Sequence, residues 1–372
     1  MNPHLHIIAL DNPWPPDYGG AIDMYYKIRA LAAEGVKIDL HLFAYGRNDT
    51  GNLADMVQSL HIYPRRRSPL ALFSSLPFIV RTRMNASLVK NILQNPAPVL
   101  FEGIHTTGIL PQLADLPVFL RVHNVEQNYY DYLARNETNF FRRSYYRRES
   151  RKLEQYEPKI WAGVKNNFCL HPTDTQHVSA YGQAVEIPVF HPFDRVEIDT
   201  GETEKFVLFH GNLSVIENQK AVFFLWKKVV RPLGIRMVVA GKNPPEALKA
   251  LARQNPHLGL VANPSSGQME RLIRQAYVHL IYSDNPSGMK LKLLYALFRG
   301  KHILVSRPLV EETVLTDLTV AVENKAAEWR NRLRELWHTE PDVEAARKIR
   351  SGILGEHYDN RINARKIMTY VR

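Results

Sequence analysis

The amino-acid sequence predicts an α/β protein made of two doubly wound domains in tandem. Three observations carry the prediction. Short apolar runs alternate with stretches of helical periodicity from His4 to Pro188. A segment of different character, His191–Glu204, then breaks the pattern with Pro192, Gly201 and a mixture of acids and apolar residues. After it the alternation starts again. Strands that alternate with helices read as a parallel sheet covered on both faces, and 372 residues suffice for two such domains. The boundaries read from this pattern are 1–192 for the first domain, 193–204 for a linker and 205–355 for the second.

In the first domain His4–Leu10 reads as a strand and Ala21–Glu34 as a helix. Lys37–Phe43, Ala97–Phe101 and Pro117–Val122 are further strands. A long helical stretch runs from Glu126 to Trp161, and strand-like Asn167–Leu170 and Ala184–Pro188 close the domain. The second domain offers strands at Lys205–His210, Arg236–Ala240, Leu258–Val261, Val278–Tyr282, His302–Ser306 and Thr319–Val322. Helical patterns at Asn218–Val230, Pro245–Arg253, Gly267–Gln275 and Met289–Arg299 lie between most of them, and the tail, Ala326–Arg372, is mostly helical. Doubly wound sheets bind ligands at the carboxyl ends of their strands. With two such domains facing each other, the expected active site is the cleft between them.

Composition narrows the class. Hydrophobic residues make up 45% and charged residues 23%, as in a folded protein rather than a disordered one. The single cysteine, Cys169, rules out an internal disulfide and is too little for a zinc or iron–sulfur framework. The N-terminus lacks a basic region followed by a long apolar one, so no signal peptide is expected. The longest apolar run, Leu70–Val80, is short and holds Pro77, so no membrane span is expected. A cytoplasmic protein is the expectation. The net charge of +11 favours anionic partners without choosing among them.

The loops after the strands hold the candidate site residues. After the first strand comes Asp11-Asn12-Pro13-Trp14-Pro15-Pro16-Asp17-Tyr18-Gly19-Gly20, where Gly19 and Gly20 let backbone approach a ligand at a helix N-terminus. The loop is not GxGxxG, and it also suits a plain turn. After Pro117–Val122 comes His123-Asn124-Val125-Glu126, a histidine beside a carboxylate, placed to meet a substrate hydroxyl or phosphate or merely to cap the next helix. After Lys205–His210, Gly211 permits close approach and Lys220 can reach a phosphate, with Asn218 as an N-cap in the plainer reading. The fullest segment is Asn285-Pro286-Ser287-Gly288-Met289-Lys290-Leu291-Lys292. Ser287 suits an N-cap, Gly288 relaxes the turn, and the N–H groups of Met289, Lys290 and Leu291 stand free at the first turn. With Lys290 and Lys292 they form a diphosphate cradle.

Taken together these segments resemble the GT-B glycosyltransferases of the large family-4, "group 1" class, over nearly the whole chain. Pro15–Gly20, its helix and Gly35–Leu40 look like that class's opening glycine loop and second strand. His123-Asn124-Val125-Glu126 looks like an HN-x-E variant of its strand-end histidine. Gly211-Asn212-Leu213 followed by Asn218 is similar to a G-N-M-x-x-x-x-N subgroup, and Ser287–Ala296 with Gly300-Lys301 matches its G-x-R-L-K-x-L-E-A segment.

The resemblance implies two Rossmann-like domains and retaining transfer of a sugar from a nucleoside-diphosphate sugar to an acceptor hydroxyl. It implies no metal cofactor, and a C-terminal helix, 356–372, that packs back on the first domain. Gly19 and Gly20 would approach the donor, His123 and Glu126 would serve the reacting sugar, and Lys220 and Lys292 would neutralise the departing diphosphate. Two departures stand out. Where many members carry paired glutamates this chain has Ser287 and Tyr295, and a tyrosine cannot accept a ribose diol as a carboxylate does. Where many carry an arginine and a lysine it has Asn212 and Asn218.

Two basic stretches remain. Arg65, Arg66 and Arg67 precede Leu70–Val80, and Arg81 and Arg83 follow it, as in a segment that either lies among lipid headgroups or covers the sheet with its arginines in water. A lipid-linked acceptor would make that useful. Phe140–Arg148 mixes arginines and aromatics inside the long helical stretch and is expected to turn its aromatics inward. No RNA-binding signature accompanies either, so nucleic acid is not an expected partner. The functions consistent with all this are, in order, a glycosyltransferase for cell-surface polysaccharide or lipopolysaccharide, a non-catalytic scaffold on the same fold, and a nucleotide-sugar epimerase.

Overall fold

The computed structural model describes residues 3–44, 46–201, 205–284 and 288–371. Two compact units divide the chain: Met1–Pro192 with Ser287–Met289 and Glu356–Arg372, and Phe193–Pro286 with Lys290–Gly355.

The first unit contains β1 (His4–Ala9), α1 (Gly19–Ala33), β2 (Lys37–Ala44), α2 (Leu53–Met56), β3 (Ser59–Pro64), α3 (Phe78–Arg81) and α4 (Ala86–Gln94). It continues with β4 (Val99–Glu102), β5 (Val118–Val122), α5 (Glu126–Asn136), α6 (Phe140–Gly163), β6 (Asn166–Cys169), α7 (Pro172–Ser179) and β7 (Ala184–Glu186). Its strands form a parallel sheet in the order β3-β2-β1-β4-β5-β6-β7. The period-2 alternation of β1 sends Leu5, Ile7 and Ala9 to a core shared with Met24 and Ile28 of α1, and Ile8 to a second core with Phe101, Leu120 and Trp161.

The second unit contains β8 (Val207–Asn212), α8 (Ile216–Phe224), β9 (Met237–Lys242), α9 (Glu246–Arg253), β10 (Leu258–Ala262), α10 (Ser266–Gln275) and β11 (Val278–Ile281). Then come α11 (Leu291–Arg299), β12 (His302–Ser306), β13 (Val320–Val322), α12 (Ala326–His338) and α13 (Val343–His357). Its parallel sheet runs β10-β9-β8-β11-β12-β13. The last helix, α14 (Asn360–Val371), belongs to the first unit, where Ala364, Ile367 and Met368 join the α1 core and Arg361 and Arg365 both pair with Glu34 at 2.6 Å. In each sheet the winding direction reverses beside its first strand, between β1 and β4 and between β8 and β11. Those are the crevices where doubly wound folds bind ligands.

Three local features differ from the sequence expectation. The stretch Glu126–Trp161 is two helices, because Asn139 caps a new one by accepting from the Arg142 N–H at 3.1 Å. The strand β3 went unpredicted because its inward positions are polar. Phe193, at the start of the segment read as a linker, groups with the second unit: it stacks on Phe298, and the Glu197 N–H donates to the Phe298 carbonyl at 2.8 Å.

Those inward positions of β3 belong to a buried histidine network beneath β1–β3. His6 Nε2 donates to the Asn95 carbonyl at 2.8 Å, so its Nδ1 accepts from His41 Nε2 at 3.0 Å. His41 Nδ1 in turn accepts from Tyr63, whose hydroxyl accepts from Asn91. Asp39 accepts from His4, Ser59 and Asn95. Each tautomer follows from its neighbour. Burial lowers the pKa of His6, and that of His41 to about 3. The chain of bonds through His6 and His41 is thus built on neutral rings at those two positions.

Candidate functional site

In the first unit the crevice floor is a cluster of five buried ionisable side chains: Asp23 and Lys27 on α1, Glu102 ending β4, Arg121 on β5, and His123 just beyond it. Arg121 grips Asp23 with two bonds, Nη2 to Oδ1 at 2.8 Å and Nε to Oδ2 at 3.1 Å. Its remaining donors go to the Ile187 and Pro188 carbonyls at 2.6 and 3.0 Å. Lys27 Nζ lies 3.0 Å from Asp23 and 2.8 Å from Glu102. Burial alone would raise the Asp23 pKa, but Arg121 and then Lys27 hold its carboxyl well below the usual range. Glu102 is likewise lowered, burial being outweighed by Lys27 and by its bond to His123. Two basic side chains thus match two carboxylates, as burial of charge demands.

His123 is tethered to this balanced cluster. Its Nε2 donates to Glu102 Oε2 at 3.0 Å, while Nδ1 stands 4.0 Å from Asp23, beyond hydrogen-bond reach. A carboxylate behind an imidazole fixes ring orientation and tautomer, as a positioned acid–base or hydrogen-bonding histidine requires. The ring's partner is Glu102, not the Glu126 that the sequence set beside it. Glu126 opens α5, buried, and burial pushes its pKa up to about 7 against a lowering bond from Asn124. Glu157 of α6 accepts from the Glu126 and Gln127 N–H groups at 2.9 and 3.0 Å and so closes the helix start.

Gly19 and Gly20 form the first turn of α1 after Tyr18, and no side chain caps that end. A Cβ on Gly20 would come within 3.2 Å of the Tyr18 ring. The preceding loop is braced by Asn12, which donates to the Arg47 and Asp49 carbonyls at 3.0 and 2.8 Å, and by the Arg47–Asp17 ion pair at 2.7 Å. Gly288 and Met289 group with the first unit. Gly288 has φ +69°, its N–H donates to Asp174 at 3.1 Å, and a Cβ there would collide with Asn124. Only glycine suits that position.

In the second unit the crevice beside β8 and β11 gathers Asn212, Asn218, Lys290, Leu291 and Lys292. Helix α11 starts at Leu291 with Lys290 as N-cap and no side-chain cap. This corrects the expected start at Met289 with a Ser287 cap; Ser287 lies outside the described residues. The uncapped N–H groups at the helix mouth are therefore those of Leu291 and Lys292, since the Leu293 N–H bonds the Lys290 carbonyl at 2.8 Å. Lys292 Nζ sits 4.4 Å over the Phe209 ring and donates to Asn218 Oδ1 at 3.2 Å. Loss of water lowers its pKa to about 8, opposed by Glu217. Asn218 donates to the Asn212 carbonyl at 2.9 Å and packs against Gly211. Lys290 lies 3.4 Å from Glu217, which also accepts from Ser283. Lys220 is exposed on α8, one turn beyond Ile216. Tyr295 is half-buried, edge-on to Phe193 at 4.8 Å and to His210 at 6.3 Å, so it fills space in the unit's core.

The arginines proposed to face a membrane separate. Arg66, Arg67 and Arg81 are exposed and Arg65 is half-buried, bonded to Thr82 at 3.0 Å. Arg83 is buried and donates to the Leu10 and Ile79 carbonyls at 2.7 and 2.8 Å, so it braces the first loop and faces no lipid. Sequence reasoning missed Asp23, Lys27, Glu102 and Arg121. The available signal was charge inside apolar periodicity: Arg121 within Val118–Val122, Glu102 ending Val99–Glu102, and an Asp23–Lys27 pair at helical spacing.

No family model matches the chain. A Klebsiella pneumoniae protein described as "Uncharacterized 44.6 kDa protein in cps region" is 24% identical over 327 residues, covering 82% of this chain and 83% of that protein. Solved structures resemble it over the full length. Sucrose-phosphate synthase from Thermosynechococcus elongatus superposes with a TM-score of 0.73 at 12% identity, covering 99% of this chain and 98% of that one. TarM gives 0.69 at 10% identity over 100% and 99%. The catalytic domain of Arabidopsis thaliana starch synthase IV, bound to ADP and acarbose, gives 0.64 at 10% over 100% and 98%. The fold is the GT-B fold, two Rossmann-like α/β units on one chain.

Proposed function

We propose that this protein is a glycosyltransferase that moves a sugar, with retention of anomeric configuration, from a nucleoside-diphosphate sugar to a saccharide or lipid-linked acceptor. The observation that carries the proposal is chemical pairing at the two switch-point crevices. The first holds a histidine anchored by a buried carboxylate. The second holds a helix mouth with free N–H groups and a partly desolvated lysine. Departure of a nucleoside diphosphate loads negative charge on the leaving group, and donors already fixed at that point lower the barrier. Lys292 and the Leu291 and Lys292 N–H groups take that role, assisted by Lys290 and Lys220. His123, held by Glu102, hydrogen-bonds the reacting sugar, and Gly19 and Gly20 let backbone approach it. These groups supply the neutralising charge without a resident metal ion.

The structural neighbours include synthases of sucrose phosphate and starch, and the Klebsiella relative is described as lying in a cps region. The synthases support transfer of a sugar, and the cps-region description supports a place in surface polysaccharide or lipopolysaccharide synthesis. The test is release of nucleoside diphosphate from a panel of donor sugars with membrane extracts or oligosaccharides as acceptors, followed by NMR of the product anomer. Sugar transfer with the donor's anomeric configuration is the expected result, and inversion would overturn retention. One observation favours a second reading, a binding scaffold that has lost catalysis. Tyr295 is packed into the core where many related enzymes carry a ribose-binding glutamate. Tight diphosphate binding without transfer to any acceptor would select it.

A further inference from the structure

The two basic stretches that the donor chemistry leaves unused meet on one surface of the first unit. One is the short helical turn Pro69–Phe73, the other the start of α6. Large apolar side chains stand in the open on both: Leu70 is 78% exposed, Phe73 74%, Phe140 67% and Phe141 79%. For Phe140 and Phe141 this reverses the inward packing expected of that helix. The two segments are fastened together. The Arg148 guanidinium lies 5.9 Å from the Phe73 ring centre, Lys152 Nζ donates to the Leu72 carbonyl at 3.3 Å, and the Phe78 and Tyr145 rings meet edge-on at 6.4 Å.

The surrounding charge is predominantly positive, with Glu137 and Glu154 at its margins. Residues 65–83 carry five arginines and no acid, and all but the buried Arg83 are at least partly exposed. Residues 138–153 carry five arginines and a lysine against one acid, Glu149, which is buried and paired with Lys152 at 2.7 Å. Arg66, Arg67, Arg147 and Arg148 are exposed. Exposed apolar groups interleaved with arginines are costly in water, and a patch of this kind marks an interaction site.

We propose that this surface docks the protein on an anionic lipid bilayer. Leu70, Phe73, Phe140 and Phe141 enter the boundary between headgroups and acyl chains, and the arginines meet lipid phosphates. The charge pattern favours a bilayer over a protein partner, because the cores of protein interfaces are depleted of charge while the boundary of an anionic membrane rewards apolar and basic groups side by side. The proposal rests on this surface alone and stands or falls separately from the transferase reading.

The test is co-sedimentation of the full chain with vesicles of phosphatidylcholine alone, and with about a quarter phosphatidylglycerol, at low and high salt. Binding to the anionic vesicles at least about tenfold tighter than to the neutral ones, weakened by salt, is expected. The triple variant Phe73→Ser/Phe140→Ser/Phe141→Ser should lose about tenfold or more of that affinity while keeping the wild-type melting temperature. Arg147→Gln/Arg148→Gln should weaken binding and flatten its salt dependence. Three results would overturn the proposal: no binding of the wild type to anionic vesicles, full binding by the folded triple variant, or capture of single-stranded RNA in place of vesicles. Nucleotide binding measured on the same samples reports on the donor site independently.

Discussion

The crevices of the two units solve the same problem with different materials. In the first, charge is buried and already neutralised: Asp23 and Glu102 are matched by Lys27 and Arg121, and His123 is held against them. In the second, the cations stand at the mouth of α11, and the local acid, Glu217, only partly offsets them. A balanced cluster gives rigidity, because each ion needs its partner to remain buried. An unbalanced one gives affinity for an incoming anion. On the proposed transferase reading, the first unit positions the reacting sugar and the second stabilises the leaving group.

The largest expected effect follows from breaking the balance. Asp23→Ala leaves Arg121 without its bidentate partner and should destabilise the chain by about 3–5 kcal/mol, or prevent folding; chemical denaturation measures it. A loss under about 1 kcal/mol would mean the cluster is hydrated and not structural.

Next in size, His123→Ala should lower turnover by roughly 10²- to 10⁴-fold with little change in diphosphate affinity. Steady-state rates and calorimetric titration separate the two. Lys292→Ala should show the opposite division. Affinity for the diphosphate falls by about 1.5–3 kcal/mol, the worth of hydrogen bonds to charged groups, while the melting temperature barely moves. If both variants lose affinity equally, the division of labour is wrong.

The smallest effect is a dependence on pH. His6 and His41 are kept neutral by burial, so below about pH 6.5 the unfolded chain binds protons that the folded chain refuses. Stability contributed by these rings falls as pH falls from there, with a slope of up to about 1.4 kcal/mol per pH unit for each ring. His41→Gln should flatten this acid limb of the melting temperature. Glu126, raised to about 7, acts in the reverse sense. Folding favours its protonated form, so its contribution is lost as pH rises from about 4.5 to 7, and Glu126→Gln should flatten that limb instead.

How much was legible in the sequence follows the same division. Apolar periodicity located both sheets and nearly every strand, and a helix start near Lys290 was visible because glycine, lysines and an apolar strand are neighbours in the chain, although it lies at Leu291, two residues beyond the expected Met289. The balanced cluster was not visible. Lys27 and Glu102 are 75 residues apart and Asp23 and Arg121 are 98 apart, and only the sheet order brings them together. Strand β3 escaped for a related reason. Its inward Ser59, His61 and Tyr63 face the polar network of His41 and Asp39, so the alternation that betrays a half-buried strand was absent. The break between α5 and α6 rests on one side-chain cap at Asn139, too small a signal to interrupt a long helical pattern.

The central claim is that the second unit binds a nucleoside diphosphate. A thermal-shift screen against UDP, GDP, ADP, dTDP and CMP, with the matching nucleotide sugars, tests it most directly. Binding to the folded state alone raises the melting temperature in proportion to the logarithm of ligand concentration. The account predicts a clear rise with one diphosphate series, lost in Lys292→Ala. No rise with any of them in well-folded protein would contradict it and leave the fold with a purely structural task.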